Sequence, residues 1–328
     1  MVNCTLYFWN PSIILFLVLL AISHGTPAQG LFRKVLFLGN SYTYINNMPL
    51  LVATLANAAG DSIQFEINTP GGYTLGWEPI DHATDPASLG LIAGNDWDFV
   101  VLQEQSQIPS ISALRDSCMF PGATTLYDAT KASDPCTQVL FFLTWGRRFG
   151  GMQRFTPNYC SVDFTDYNHM QDSLTVSYKM VADSLESPIA PVGEAWRLVI
   201  NQHGMVLHDG DNSHPNIKGS YLAACVFYSS IYGKPVTGNP FTAGILPDTA
   251  LILQEAADSI VFGYTSFWNV GIGRPEAAFY TSVNADTIFT HNQSLNAERD
   301  RRGGQQQYFS FFSVLFSLPT IVFSLYTK

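Results

Sequence analysis

Apolar and polar positions along this chain fall into short runs whose period switches between that of strand and that of helix. Residues 34–38, KVLFL, have the continuous apolar character of a strand buried on both faces, and the run stops at Gly39-Asn40. A polar loop, YTYINN, follows. Asn47 then precedes Met48-Pro49, where proline in the first turn opens a helix that ends at Gly60. Ile63, Phe65 and Ile67 alternate with Ser62, Gln64 and Glu66, which predicts a second strand over 62–68 running into Thr69-Pro70-Gly71-Gly72. A third strand, 99–103, ends in Glu104-Gln105-Ser106-Gln107. A helix over 123–132 leads to a fourth strand, 138–144, which ends in Trp145-Gly146-Arg147. Tyr167, Met170, Leu174, Tyr178, Val181 and Leu185 recur at three- and four-residue steps and predict a long amphipathic helix over 166–186. The pattern closes with a short strand at 188–192 and helices at 194–203, 215–232 and 247–262.

Strands alternating with helices imply an α/β fold, with a parallel sheet of about five strands covered by helices on both faces. The pattern spans 30–263, the size of one domain. Each polar cluster falls just after a strand. In a parallel sheet those strand ends lie along one edge, where open α/β sheets keep their ligand crevice. The clusters therefore read as one site.

Composition narrows the class. Across 328 residues, 47% are hydrophobic and 13% charged, enough for a sizeable core under a sparsely charged surface. Net charge is −10 and no basic run tracks a phosphate backbone, so nucleic acid is not an expected partner. Residues 11–23 are apolar but short for a bilayer span, and the small and polar SHGTPAQG follows. That order predicts a secretory signal peptide over 1–29, with cleavage between Ser23 and Gln29. The leading MVNCTLYFWN carries no Lys or Arg, so an uncleaved anchor is the alternative. Either way the chain is expected to be exported, to a secreted, periplasmic or cell-surface location. Of the five cysteines, Cys4 lies in the leader and Cys225 in an apolar helical run, while an oxidising compartment would permit one disulfide among Cys118, Cys136 and Cys160. No cysteine or histidine spacing resembles a zinc site, and no metal or cofactor is expected.

Ser41 places a hydroxyl at the carboxyl end of the first strand and is a candidate nucleophile. Gly-Asn-Ser would equally make an ordinary strand-to-helix turn with a capping serine. Acyl transfer by serine needs a base, an orienter for that base and donors for the oxyanion. Among seven histidines, His214 stands in Asp211-Asn212-Ser213-His214-Pro215, directly before a helix. A carboxylate three residues ahead on one tight turn can accept from one ring N–H and leave the other nitrogen facing Ser41. Asp209, five residues ahead, reaches that ring less readily. Oxyanion donors would be the backbone N–H of Ser41, that of Gly71 or Gly72, and a side-chain amide after the third strand. Glycine suits the second position because the main chain must come close to substrate.

GNSYT, the Gly-Gly after strand two, the polar cluster after strand three and DNSH in the last block resemble, in order, the blocks of the SGNH (GDSL-like) hydrolases. The resemblance runs over roughly 33–262. It implies a flavodoxin-like three-layer α/β/α fold and an esterase or lipase activity, carbohydrate O-deacetylation included. It assigns Ser41 as nucleophile, Gly72 or Gly71 as oxyanion glycine, His214 as base and Asp211 as its orienter. The third block departs from the usual Gly-x-Asn-Asp: this chain has Gln103-Glu104-Gln105-Ser106-Gln107, so a glutamine amide would replace the asparagine. Gln105 is favoured, with Gln107 or Gln103 as alternatives. LQEQS, TWGR and PVGEAW together resemble one bacterial branch of the superfamily. Trp145 and Trp196 would line the pocket, or one of them would be core. The expected partner is a small ester or an acylated glycan. Two rival functions are a surface glycan-binding protein without catalysis and a lipid-directed lipase.

Past Phe262 the pattern changes. Residues 264–300 read as a linker and the start of a further domain, since 275–297 alternate like two short strands and resemble the opening of a PKD-type domain. The continuation of such a domain is missing. Residues 301–328 open with RRGGQQQ and continue as an apolar tail, YFSFFSVLFSLPTIVFSLYTK, that reads as a tail anchor, an unstructured tail, or a stretch foreign to the natural protein through a reading-frame shift. Loss of a domain after two strands favours the last of these, because two strands alone hold no sandwich core.

Overall fold

The computed structural model of the chain describes residues 30–271 and, beyond them, the backbone of four further strands. The signal-peptide expectation for 1–29 lies outside the described residues. Five parallel strands form the central sheet: β1 (Phe32–Leu38), β2 (Ser62–Asn68), β3 (Phe99–Leu102), β4 (Gln138–Phe142) and a short edge strand, β7 (Ile189–Ala190), in the order β2-β1-β3-β4-β7. Their burial explains the two hydropathy patterns. β3 is covered along its whole length and β1 over its last four residues, whereas β2 is an outer strand and its positions stay half exposed.

Seven helices are used here: α1 (Met48–Ala58), α2 (Pro86–Ala93), α3 (Phe120–Ser133), α4 (Tyr167–Ser184), α5 (Val192–His203), α6 (Ile217–Tyr232) and α7 (Pro247–Gly263). Alternate side chains of each strand feed opposite layers, as the two-residue period of a strand requires. Val35, Phe37, Val101, Leu140 and Phe142 pack with α1, α5, α6 and α7. Leu36, Leu38, Val100, Leu102, Val139 and Phe141 pack with α2, α3 and α4. The fold is a three-layer α/β/α sandwich. α6 is buried almost throughout, from Gly219 to Tyr232, which accounts for its unbroken apolar sequence.

Two elements escape the hydropathy pattern. α2 has little amphipathic contrast, but Asp85 caps it by accepting from Ala87 N and Ser88 N, with Pro86 at its first position. A hairpin, β5 (Gly151–Thr156) with β6 (Tyr159–Phe164), is inserted between β4 and α4 and is irregular in register. The expected loop YTYINN is instead a helical turn, Ser41–Tyr44, followed by a 3₁₀ turn, Ile45–Asn47, because the Asn40 side chain accepts from Tyr42 N and starts the helix early. Among the described residues no disulfide joins Cys118, Cys136, Cys160 and Cys225. Among the described residues no helix is long and apolar enough to cross a membrane.

The further strands, β8 (Phe279–Asn284), β9 (Thr287–Asn292), β10 (Phe312–Ser317) and β11 (Thr320–Leu325), form an antiparallel sheet in the order β11-β10-β9-β8. The first two fall where two strands are expected in 275–297, and the last two draw on the apolar tail.

Candidate active site

From β1 the chain moves outward to β2 on one side and to β3 on the other, so the strand order reverses at the β1/β3 boundary. Crevices of open α/β sheets form at that point. Ser41 leaves β1 there, and the turn that carries it is held from beneath by Gln103. Gln103 Oε1 accepts from Asn40 N at 2.9 Å and Thr43 Oγ1 at 3.0 Å, while its Nε2 donates to Asn40 Oδ1 at 3.0 Å. Gly39 is required here: a Cβ would stand 2.6 Å from both Gln103 Oε1 and Thr43 Oγ1. Asn40 Nδ2 donates to the Tyr73 carbonyl at 2.8 Å, and the buried His82 donates through Nε2 to the Gly39 carbonyl at 2.9 Å. Gln103 therefore shapes the turn that carries Ser41 rather than facing the cavity.

His214 reaches Ser41 from a tight loop ahead of α6. Its Nε2 lies 2.9 Å from Ser41 Oγ, and its Nδ1 is hydrogen-bonded to Asp211 Oδ2. Asp211 Oδ1 also accepts from Ser213 N and His214 N, each at 2.9 Å, so one carboxylate builds the loop and orients the ring together. Burial alone would push the Asp211 carboxyl up; the hydrogen bonds from the His214 ring and from the two backbone N–H groups outweigh it and hold it down at about 2. Asp209 instead fixes loop shape, its N donating to the His214 carbonyl and its carbonyl accepting from Asn212 N. Asn216 caps α6 and ties the loop to the Val206 and His208 carbonyls. His208, which burial pulls down to about 4, is a neutral donor from Nε2 to the Gly146 carbonyl.

Ser41, Tyr42, Gly72, Gln105, Ser106, Arg147, Asp211, Ser213 and His214 line one cavity of about 360 Å³, with Asn40 at its wall. The structure thus brings together Ser41, His214, Asp211, Gly72 and Gln105. Within the described protein the backbone N–H groups of Ser41 and Gly72 carry no hydrogen bond, which leaves both for a ligand. At Gly72 a Cβ would meet nothing, and φ is +75°; left-handed backbone, not crowding, is what asks for glycine.

Three expected pocket residues lie elsewhere. Gly71 does not line the cavity. Gln107 turns its amide away, to the Arg154 carbonyl at 3.3 Å, while its backbone N–H donates to Gln105 Oε1 at 2.7 Å. Trp145 is fully buried. Its ring stacks between Tyr42, at 4.5 Å and 4°, and Trp196, at 4.0 Å and 1°, and its Nε1 donates to the Ser213 carbonyl at 2.9 Å. This pile of rings, with Trp196 also wholly buried, links the Ser41 turn to the His214 loop from below. The residues missing from the sequence reading are Tyr42, Ser106, Arg147 and Ser213. All four flank motifs already recognised, and only the folded loops show which of them turn inward. Among the described residues no cluster of three or more His, Cys, Asp or Glu side chains is placed to hold a metal ion.

No family model and no curated protein sequence matches the chain. Solved structures do. A DUF4886 family protein from Bacteroides uniformis superposes with a TM-score of 0.59 at 20% identity, covering 71% of this chain and 96% of that one. A protein from Slackia heliotrinireducens, described as a candidate SGNH hydrolase, gives 0.48 at 25% identity over 60% and 97%. An acetyl-xylooligosaccharide esterase from Geobacillus gives 0.42 at 15% identity over 62% and 96%. The first overlap is close enough to establish a shared fold, and at that identity it establishes the fold alone.

Proposed function

We propose that this protein is a serine ester hydrolase that cleaves short acyl esters, acetyl among them, from a polar alcohol such as a sugar. The observation that carries the proposal is the relay Asp211–His214–Ser41, with His214 Nε2 at 2.9 Å from the serine oxygen. In this reading Ser41 Oγ attacks the ester carbonyl while His214 Nε2 takes its proton. Asp211, ionised, keeps the ring in the tautomer that presents an acceptor to Ser41 and offsets the charge of the imidazolium. The oxyanion is received by Ser41 N–H, Gly72 N–H and the Gln105 amide, each such donor worth about 3–4 kcal/mol in the transition state. His214 returns the proton to the departing alcohol. Water, activated by the same nitrogen, then releases the acid and restores the serine.

The lining favours a small polar ester over a lipid. Apart from the Tyr42 ring it presents hydroxyls, amides, an imidazole, a carboxylate and a guanidinium, with no aliphatic side chain to receive a long acyl chain. Export by the leader over 1–29 and action on acylated glycans outside the cell or at its surface belong to the same proposal. Hydrolysis of p-nitrophenyl acetate is the test. The wild type is expected to turn it over, and Ser41→Ala is expected to fall to the uncatalysed background. Equal rates would end the proposal and favour a binding protein built on a hydrolase fold. An optimum at long acyl chains would favour a lipase.

A further inference from the structure

Arg147 lines the cavity that holds Ser41 and His214. Its guanidinium is gripped from three sides: Nη1 donates to the Tyr42 hydroxyl at 3.0 Å, Nη2 to Ser106 Oγ at 3.0 Å and Nε to Gln153 Oε1 at 3.4 Å. All three acceptors are neutral. Ser106 is a hydroxyl and Gln153 an amide, while burial pushes the Tyr42 phenol up against the pull of Arg147 itself, so Tyr42 keeps its proton. A guanidinium has five N–H groups in a planar fork, and two of these find no acceptor in the described protein.

Nor does the charge have a direct ion-pair partner: the ionised Asp211 lines the same cavity but is hydrogen-bonded to His214. Arg33, Arg115 and Arg197 each pair with an aspartate; Arg147, Arg148 and Arg154 pair with no carboxylate among the described residues, and of these three only Arg147 is half-buried. A half-buried cation without a direct ion pair costs free energy, and the folded protein fixes this one by three hydrogen bonds at the wall of a ligand-sized cavity. The β4 loop, the nucleophile turn (Tyr42), the third block (Ser106) and the β5–β6 hairpin (Gln153) all contribute to fixing it. A preorganised fork with donors to spare is the geometry that matches a carboxylate.

We infer that Arg147 is a substrate-binding residue that receives a carboxylate carried by the ester, so that the preferred substrates are anionic esters. The inference rests on the esterase reading above and adds the substrate class. The carboxylate belongs either to the acyl half, as in a half-ester of a dicarboxylic acid, or to the alcohol half, as in an O-acylated uronic acid. The arginine fork recognises either one.

The test uses the full chain and two matched pairs of substrates. 4-Nitrophenyl hydrogen adipate against 4-nitrophenyl hexanoate probes the acyl half. Methyl O-acetyl-glucuronoside against methyl O-acetyl-glucoside, followed by acetate release, probes the alcohol half. In one arm the wild type is expected to favour the acid in kcat/KM. Arg147→Gln should lower that acid-to-neutral ratio about 10- to 100-fold, the usual worth of a hydrogen bond to a charged group, and Arg147→Lys should give an intermediate ratio. A ratio that Arg147→Gln leaves unchanged, or no preference for the acid in either arm, overturns the inference, since a purely structural arginine would depress both members of a pair together. Should the wild type prove no esterase, binding still decides. Adipate or methyl glucuronoside titrated calorimetrically into Ser41→Ala is expected to bind, and the heat should vanish in Ser41→Ala/Arg147→Gln. No heat with Ser41→Ala overturns it.

Discussion

Glu104 is wholly buried beneath the candidate site, one residue from the amide that faces the cavity. Its Oε1 accepts from Leu75 N at 3.0 Å and Gln105 N at 2.6 Å, and its Oε2 has no partner among the described residues. Burial pushes the carboxyl up to about 8, the two backbone donors pull it back only in part, and the charge of Asp81 adds to the rise. The folded protein therefore holds a proton on Glu104 at neutral pH that the unfolded chain, titrating near 4.5, has already lost. The sign follows. This group's stabilisation is whole below about pH 4.5 and drains away as pH rises through about 8. Thermal melts from pH 5 to 9 should show the wild type losing stability across that window and Glu104→Gln losing less, because the amide cannot ionise. A wild-type slope reproduced in Glu104→Gln would place the titration elsewhere. Asp211 runs the other way: depressed to about 2, it stabilises the fold above its ordinary range and gives that up only in strong acid.

The element that joins the two halves of the site is the loop after β4, not a residue that touches substrate. Trp145 carries the stack between Tyr42 and Trp196 and hands its indole N–H to the Ser213 carbonyl, next to His214. Trp145→Phe keeps a ring in the stack but strips that donor, leaving a buried carbonyl unpaired at a cost of about 1–3 kcal/mol. Trp145→Ala also opens a cavity and should cost about 3–5 kcal/mol. Both variants should lower kcat on p-nitrophenyl acetate, with melts recording the stability loss; full kcat in Trp145→Phe would free the base loop from this support. The same element shows where sequence reading stops. Ser41, Asp211 and His214 were legible because each sits at a fixed offset from a strand end or helix start, and local spacing is what a sequence records. Gly72 and Gln105 were legible as turns after named strands. Trp145 was misplaced because an aromatic after a strand is read the same way whether it points to solvent or inward. Gln103 meets Asn40 and Thr43 across 63 and 60 residues, and Arg147 meets Ser106 and Tyr42 across 41 and 105, so their roles appear only once the loops are folded together. The β5–β6 hairpin and α2 lacked a clean period and were not expected.

On the scale of the whole molecule, the question is where the three-layer α/β/α unit ends. The sequence pattern breaks at 263, yet the packing continues. Trp268 is buried to 4% exposure in the layer that holds α2, α3 and α4. Its Nε1 donates to the Ile260 carbonyl at 3.0 Å, and its own carbonyl accepts from Ile189 N at 2.9 Å, completing the short outer strand that β4 pairs with. Asn269 follows, with Nδ2 donating to Asp183 and to the Ser187 carbonyl. These contacts close the open side of the sheet and satisfy a backbone donor that the two-residue strand cannot pair by itself. Every residue lining the cavity lies between Asn40 and His214. Two truncations separate the boundaries. A chain of residues 30–271 should melt cooperatively and hydrolyse p-nitrophenyl acetate at the full-length kcat/KM within about twofold, since distant independent parts contribute additively. A chain of residues 30–263 loses the Trp268 side chain from the core and should be less stable by about 3–5 kcal/mol, read as a melt lowered by roughly 10 °C. Equal melting of the two would mean that 264–271 merely lie against the domain; a loss in both would extend the unit past 271.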